Sequence, residues 1–234
     1  MGRDDPQVSP LGDCAIVVGF GDDATAEANL TVRQFERRLD AASLPGVVET
    51  VPAFTTVTIV YDPIRARYEQ LAAAVGQMLA ESPSEIEDLD TRTVGIPVHY
   101  GGDFGPDLGF VASHNELTEQ QVIEIHSQPT YLVYMIGFAP GFPYLGGMSE
   151  RIAAPRRDNP RASIPVGSVG VAGRQTGVYS IETPGGWQLI GRTPLRLFRP
   201  EEERPSLLEA GDEVRFDPIT RSEYDRLVER DLGG

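Results

Sequence analysis

Apolar positions keep helical spacing in two stretches near the start of this chain and form short strand-like runs through most of the rest. Asp13–Phe20 is an apolar run of strand length. Between Ala24 and Ala42, the residues Ala28, Val32, Phe35, Leu39 and Ala42 recur at the spacing of one helix face. Pro45-Gly46 breaks that pattern. Val47–Val51 and Thr55–Tyr61 are rich in β-branched residues, with Pro52 between them, and read as strands. Ile64, Tyr68, Leu71, Val75 and Met78 mark a second helix that starts after Asp62-Pro63. The first part therefore reads β-α-β-β-α. Glu81–Asp90 is acidic, carries Ser82-Pro83-Ser84 and reads as a linker.

Beyond it the pattern is mainly β. Thr93–Tyr100 opens this part, and Pro97 within it points to a sheet edge. Thr118-Glu119-Gln120-Gln121 fits a capping box, and with Val122, Ile125 and His126 it predicts one short helix. Tyr131–Ile136 is a strand. Further short strands are predicted at Ala162–Val166, Ser168–Ala172, Gly177–Ile181, Gln188–Ile190, Arg196–Phe198 and Glu213–Phe216, separated by turn residues. That spacing predicts a small barrel or sandwich. Thr220-Arg221-Ser222-Glu223 is another capping box and predicts a final helix. No internal repeat is visible. The expected organisation is α+β: a small α/β domain over residues 1–90, then a β domain over 91–234.

Between the strands lies Gly137-Phe138-Ala139-Pro140-Gly141-Phe142-Pro143-Tyr144-Leu145-Gly146-Gly147, echoed by Thr183-Pro184-Gly185-Gly186-Trp187. Glycine tolerates backbone angles that other residues avoid and proline fixes one of its own, so the segment reads as a stiff loop holding aromatic rings in place. Its continuous apolar run is too short for a core strand. It serves either as a ligand or partner surface or as a well-packed Ω-loop.

Composition narrows the function classes. With 234 residues the chain makes one large domain or two small ones. No stretch approaches the roughly 20 apolar residues that cross a bilayer, and Met1–Pro6 lacks the apolar region of a signal peptide; a cytoplasmic protein is expected. The single Cys14 sits beside Ala15, Ile16, Val17 and Val18, which predicts a buried, inert thiol. All 20 basic residues are arginine. Lysine chemistry is therefore excluded, from Schiff bases to the phosphate-binding lysine of a P-loop. A formal net charge of −15 argues against nucleic acid and anionic membrane as partners. The charge is uneven: residues 1–90 hold 6 Arg against 16 acids, whereas residues 150–199 hold 8 Arg against 3. Such a basic stretch, set around the Gly/Pro loops, fits an anionic ligand, an acidic partner face, or arginine stems covering apolar surface.

The three histidines, His99, His114 and His126, have no close metal-ligand spacing, so no metal site is expected. His114 is expected just ahead of the short helix, at the surface. Val166-Gly167-Ser168-Val169-Gly170 lacks the register of a nucleophile elbow. Gln175-Thr176-Gly177-Val178-Tyr179 sets an amide, a hydroxyl and a phenol beside Arg174. These groups either converge on a small amide or carboxylate or line the wet side of a hairpin.

Several of these segments occur in one order: Gly101–Leu108, His126-Ser127, Gly137–Gly147, Pro155-Arg156, Gly167–Gly170, Gln175–Tyr179 and Thr183–Gly191. Together they closely resemble the allophanate hydrolase subunit 1 family, also called the 5-oxoprolinase B-subunit family, which includes the Kip inhibitor of sporulation kinase (KipI). The resemblance spans nearly the whole chain and is most specific from 97 to 198. It implies a ferredoxin-like α/β domain followed by a cyclophilin-like β-barrel. It implies partners too: allophanate hydrolase subunit 2, or the C subunit of 5-oxoprolinase, together with a LamB/YcsF-type A subunit. With them, family members open 5-oxoproline to glutamate at the expense of ATP, with Mg. No tightly bound organic cofactor is implied. Ser180 departs from the proline of many relatives, which bears on the local turn.

On that resemblance, Arg156, Gln175 and Tyr179 are the expected catalytic residues. Arg161, Thr176, Gly141, Phe142, Thr183, Gly185 and Gly186 are expected at the substrate or phosphate, and Phe138, Tyr144 and Trp187 at an apolar wall or partner face. No general base stands out, which fits a site completed by a partner and a chain inactive alone. The same resemblance leaves open a KipI-like inhibitor of a histidine kinase and a carboxyltransferase component related to urea carboxylase.

Overall fold

A computed structural model describes residues 5–23, 25–81 and 91–232, and the chain divides into two units, Met1–Asp90 and Thr91–Gly234. In the first unit the elements run β1 (Gln7–Leu11), β2 (Ala15–Gly19), α1 (Ala26–Ala42), β3 (Val47–Pro52), β4 (Thr56–Tyr61) and α2 (Tyr68–Ala80). The sheet order is β1-β2-β4-β3, with every neighbouring pair antiparallel. This is the strand order of a ferredoxin-like βαββαβ sheet whose last strand has moved ahead of the first. Alternation along β2 and β4 turns Ile16, Val18, Val57, Ile59 and Tyr61 to one face, where they pack with Val32, Phe35 and Leu39 of α1 and Leu71 and Val75 of α2. The Thr25 hydroxyl caps α1 by accepting the Ala28 N–H, and the helix stops at left-handed Ser43.

Strand β1 is an addition to the β-α-β-β-α reading. Its sequence carries Pro10, which only an edge strand accommodates. Two further expectations are corrected. Cys14 is exposed, because it lies in the tight turn before β2 rather than within the strand. Ile64, read as the start of the second helix, is 94 % exposed and outside α2. Most of the predicted linker, residues 82–90, lies outside the described residues.

The second unit runs β5 (Thr93–Tyr100), α3 (Leu108–His114), α4 (Glu119–Ser127), β6 (Thr130–Ile136), β7 (Pro143–Gly146), β8 (Arg161–Ile164), β9 (Ser168–Ala172), β10 (Gln175–Val178), β11 (Thr183–Gly185), β12 (Gln188–Arg192), β13 (Glu213–Pro218) and α5 (Arg221–Leu232). Seven strands close a barrel in the order β10-β7-β6-β13-β5-β12-β9, and β9 pairs back onto β10. The pair β5/β13 is parallel. Ile96, Val98, Tyr131, Val133, Val169, Val171, Ile190 and Phe216 are among the side chains filling the interior. Pro97 fits because β12 pairs with β5 only at His99 and Tyr100, leaving Pro97 unpaired on that side. Strands β8 and β11 form a separate two-stranded ribbon.

Both capping boxes are present: Gln121 returns a bond to the Thr118 N–H at 2.9 Å, and Glu223 to the Thr220 N–H at 2.8 Å. Three local readings change. A second helix, α3, precedes α4, so His114 ends one helix rather than leading into the next. Arg196–Phe198 is not a strand; Phe198 makes one isolated bridge to Ser206. The end of the Gly/Pro segment is a barrel strand after all, β7, paired with β6 and β10 on its two sides.

Candidate functional site

The loop Gly101–Pro106 leads into Asp107, the residue capping α3. Asp107 is 5 % exposed and is the hub of the basic stretch. Its Oδ1 accepts from Arg157 Nη1 at 3.0 Å and Arg161 Nη2 at 2.9 Å, and its Oδ2 accepts the Leu189 N–H at 2.7 Å. Its own N–H donates to the Leu189 carbonyl at 2.9 Å. A buried carboxylate requires this saturation. It ties three segments together: the loop before α3, the 157–161 segment and β12.

Beside it opens a cavity of about 310 Å³, bordered by Phe110, Pro155, Arg156, Arg157, Asp158 and Gln188 among others. Gln188 Nε2 donates to the Pro155 carbonyl at 2.9 Å, and the Arg157 N–H to the Gly186 carbonyl at 2.7 Å. The backbone around Arg156 is therefore held on both sides, while Arg156 itself is exposed and makes no hydrogen bond or ion pair with any described residue.

Outside the barrel wall lies an aromatic cluster. Phe142 is its centre, with ring centroids 5.1 Å from Tyr144, 5.4 Å from Tyr179, 5.6 Å from Trp187 and 5.4 Å from Phe138. Gly141 (φ +72°) makes the turn into β7; a Cβ there would lie 2.9 Å from that of Phe198. Phe138 has φ +67° and is 61 % exposed, an unusual backbone state for a bulky residue. The Ser180 hydroxyl anchors this loop by donating to the Pro140 carbonyl at 2.6 Å.

Placement of the expected site residues is mixed. Arg156, Arg161, Tyr179, Gly185, Gly186 and Trp187 come together around the Asp107 hub. Burial raises the Tyr179 phenol to about 12, against the opposing backbone bond from Trp187 and the nearby Arg156 and Arg161, so it stays a neutral donor at ordinary pH. A Cβ on Gly185 would meet the Tyr179 hydroxyl at 2.5 Å, so glycine there lets the ribbon close over the ring. Thr183 is half-buried on the ribbon and pairs with Ile164.

Thr176 does not join Gln175 and Tyr179. Successive side chains of a strand alternate between faces. On β10, Thr176 and Val178 face the barrel interior, while Tyr179 joins the outer cluster. Thr176 is fully buried, donating to the Gly170 carbonyl at 3.0 Å and standing 2.8 Å from His126 Nε2, so it belongs to the core rather than to a ligand. Arg161 spends its charge on Asp107. Arg174 pairs with Glu150 at the surface, away from Asp107. Asp107, Phe110 and Gln188 were not among the expected site residues, and Arg157 entered only as part of the basic stretch. Asp107 follows Gly105-Pro106 in the segment Gly101–Leu108, but nothing in that spacing announces an ion-paired carboxylate; Phe110 rides on α3, which has no periodic signal in the sequence. Among the described residues no group of three or more His, Cys, Asp or Glu could hold a metal ion, and no helix is long and apolar enough to cross a membrane.

A family model described as carboxyltransferase domain, subdomain C and D, matches residues 6–208. The chain is 50 % identical over 228 residues to the 5-oxoprolinase B subunit of Bacillus subtilis (strain 168), covering 93 % of this chain and 95 % of that one. The chain belongs to the 5-oxoprolinase B-subunit family, built on a carboxyltransferase C and D domain. A second family member, the 5-oxoprolinase B subunit of Escherichia coli O157:H7, is 44 % identical over 210 residues, 89 % of this chain and 94 % of that one. The fold also superimposes on the urea carboxylase of Kluyveromyces lactis with a TM-score of 0.80 over 98 % of this chain and 23 % of that one, at 20 % identity. At that identity the likeness concerns the fold, and it accounts for the ferredoxin-like unit and barrel in succession.

Proposed function

We propose that this chain is the B subunit of an ATP-dependent 5-oxoprolinase, a hydrolase complex that opens 5-oxo-L-proline to L-glutamate. The observation that carries this reading is the 50 % identity, along nearly the full length of both chains, to a protein of that name. An amide carbonyl is a weak electrophile, and ATP supplies the activation by phosphorylating the carbonyl oxygen. The role of this chain is to bind and orient. Arg156 offers a free guanidinium for an anionic group. Arg157 and Arg161, locked to Asp107, hold a fixed positive field beside it. Tyr179 and Gly185–Trp187 form a rigid wall.

We assign ATP and the general base to the two partners, the LamB/YcsF-type A chain and the C chain (allophanate hydrolase subunit 2). The exposed Phe138 and the aromatic loop are the face that meets them. Such a complex works in the cytoplasm, and this chain alone is inactive. The fold shared with urea carboxylase supports one second reading, a carboxyltransferase component.

The test is ATP-dependent release of glutamate from 5-oxoproline by this chain alone and mixed with its A and C partners. Activity only in the mixture is expected. A folded, assembled mixture that releases no glutamate overturns the reading in favour of the carboxyltransferase one.

A further inference from the structure

We infer that the cavity beside Arg156 is a site for a small monocarboxylate carried on a compact ring, and not for polyphosphate. The inference rests on the oxoprolinase reading only for the identity of the ring; the charge argument stands on the site itself. Asp107 is saturated by Arg157, Arg161 and the Leu189 N–H, so its charge is committed and the trio leaves one positive charge. Arg156 adds a second, and Asp158, exposed on the same rim, removes one. The set as a whole balances a single negative charge. Asp158 repels a ligand carrying three or four.

Geometry agrees with the charge. The planar fork of Arg156 is unoccupied and matches a carboxylate in two parallel hydrogen bonds. Its backbone is fixed in advance by the Gln188 bond to Pro155 and the Arg157 bond to Gly186, so the ordering cost at binding is confined to the Arg156 side chain. Phe110, 47 % exposed, and the Pro155 ring give apolar walls for a small ring. About 310 Å³ accommodates a five-membered lactam. Asp107 is then a positioning residue: it aims Arg157 and Arg161 without touching the ligand.

Calorimetric titration of the full chain, free and in the assembled complex, tests this with three probes: 5-oxoproline, 2-pyrrolidinone, which is the same ring without its carboxylate, and inorganic phosphate. 5-Oxoproline is expected to bind, with 2-pyrrolidinone weaker by roughly tenfold or more and phosphate weaker still. Arg156→Gln is expected to weaken 5-oxoproline by roughly tenfold while leaving the melting curve unchanged; in an active complex it raises KM for 5-oxoproline and not for ATP. Asp107→Asn, which makes the set one unit more positive, is expected to narrow the preference for 5-oxoproline over phosphate, a shift that general loosening of the fold does not produce. The inference is overturned if phosphate competes as well as 5-oxoproline, if 2-pyrrolidinone binds equally, if Arg156→Gln binds like the parent, or if 5-oxoproline binds neither form. A complex without oxoprolinase activity that still binds 5-oxoproline through Arg156 overturns the function and not the site.

Discussion

His126 Nε2 lies 2.8 Å from Thr176 Oγ1 in the sealed interior of the barrel. The threonine proton is already given to the Gly170 carbonyl at 3.0 Å. Thr176 therefore accepts, and the histidine carries its proton on Nε2. Its Nδ1 then accepts from the Tyr100 hydroxyl at 2.8 Å. One tautomer satisfies the whole chain of donors, tying α4 to β5, β10 and β9.

Thr176→Val keeps the shape and removes the acceptor, leaving a buried N–H without a partner. We expect a loss of about 1–3 kcal/mol in the second unit, with Thr176→Ser within about 1 kcal/mol of the parent because its hydroxyl remains. Denaturant titration of both variants checks this; equal stability for Val and the parent removes the relay.

The two units respond to pH in opposite directions. Burial pulls the His126 imidazole down from 6.5 to about 3. Between those values the unfolded chain binds a proton that the folded barrel refuses, so barrel stability falls as pH drops below about 6.5, by at most about 1.4 kcal/mol per pH unit. In the first unit, burial and then Asp40 raise Glu36 of α1 to about 7. There the folded state holds a proton that the unfolded chain releases above its ordinary 4.5, so this unit weakens as pH rises from 4.5 towards 7. The single tryptophan, Trp187, reports the barrel alone. Its unfolding midpoint should rise from pH 4.5 to 7 in the parent and flatten in His126→Asn, whatever that variant's absolute stability.

Removing the Asp107 carboxylate leaves two partly buried guanidiniums and one backbone N–H without their acceptor. Asp107→Leu should cost about 3 kcal/mol, read as a lowered thermal midpoint. Arg157→Met alone should cost less, because Arg161 still pairs with the carboxylate. The reverse ranking disproves the hub.

Phe138 combines a left-handed backbone with a ring that is 61 % exposed and meets only the edge of Phe142, so packing does not account for all of its strain. Phe138→Gly removes both. The free chain should be as stable as the parent or slightly more so, by about 1 kcal/mol at most, while affinity for the C partner, measured by biosensor, drops. An unchanged affinity removes Phe138 from the partner face.

Much of the fold was legible because its signals are local. The α1 periodicity, the β-branched β4 and both capping boxes state their own structure. What escaped depends on distant neighbours. Strand β1 is a strand only because β2 lies beside it, and β7 only because β6 and β10 flank a segment whose glycines and prolines look like a loop. The site divides along the same line. Arg156 and the aromatic loop stood out by composition, whereas Asp107 is meaningful only once Arg157, Arg161 and Leu189 come to it from 50, 54 and 82 residues away. Grouping Thr176 with Gln175 and Tyr179 failed for a simpler reason: neighbours in a strand's sequence face opposite ways.

The parallel pairing of β5 with β13 joins Thr93 to Glu213, the first and last staves of the barrel. Those strands stand 120 residues apart, so the ring cannot be sealed until synthesis has passed Pro218. The sheet of the first unit, by contrast, has all its strands by Tyr61. During translation the N-terminal unit is thus free to mature while the barrel waits, open-edged, for its final stave. A premature stop between β5 and β13 leaves a finished small domain attached to an unsealed sheet, the species that chaperones and proteases exist to remove.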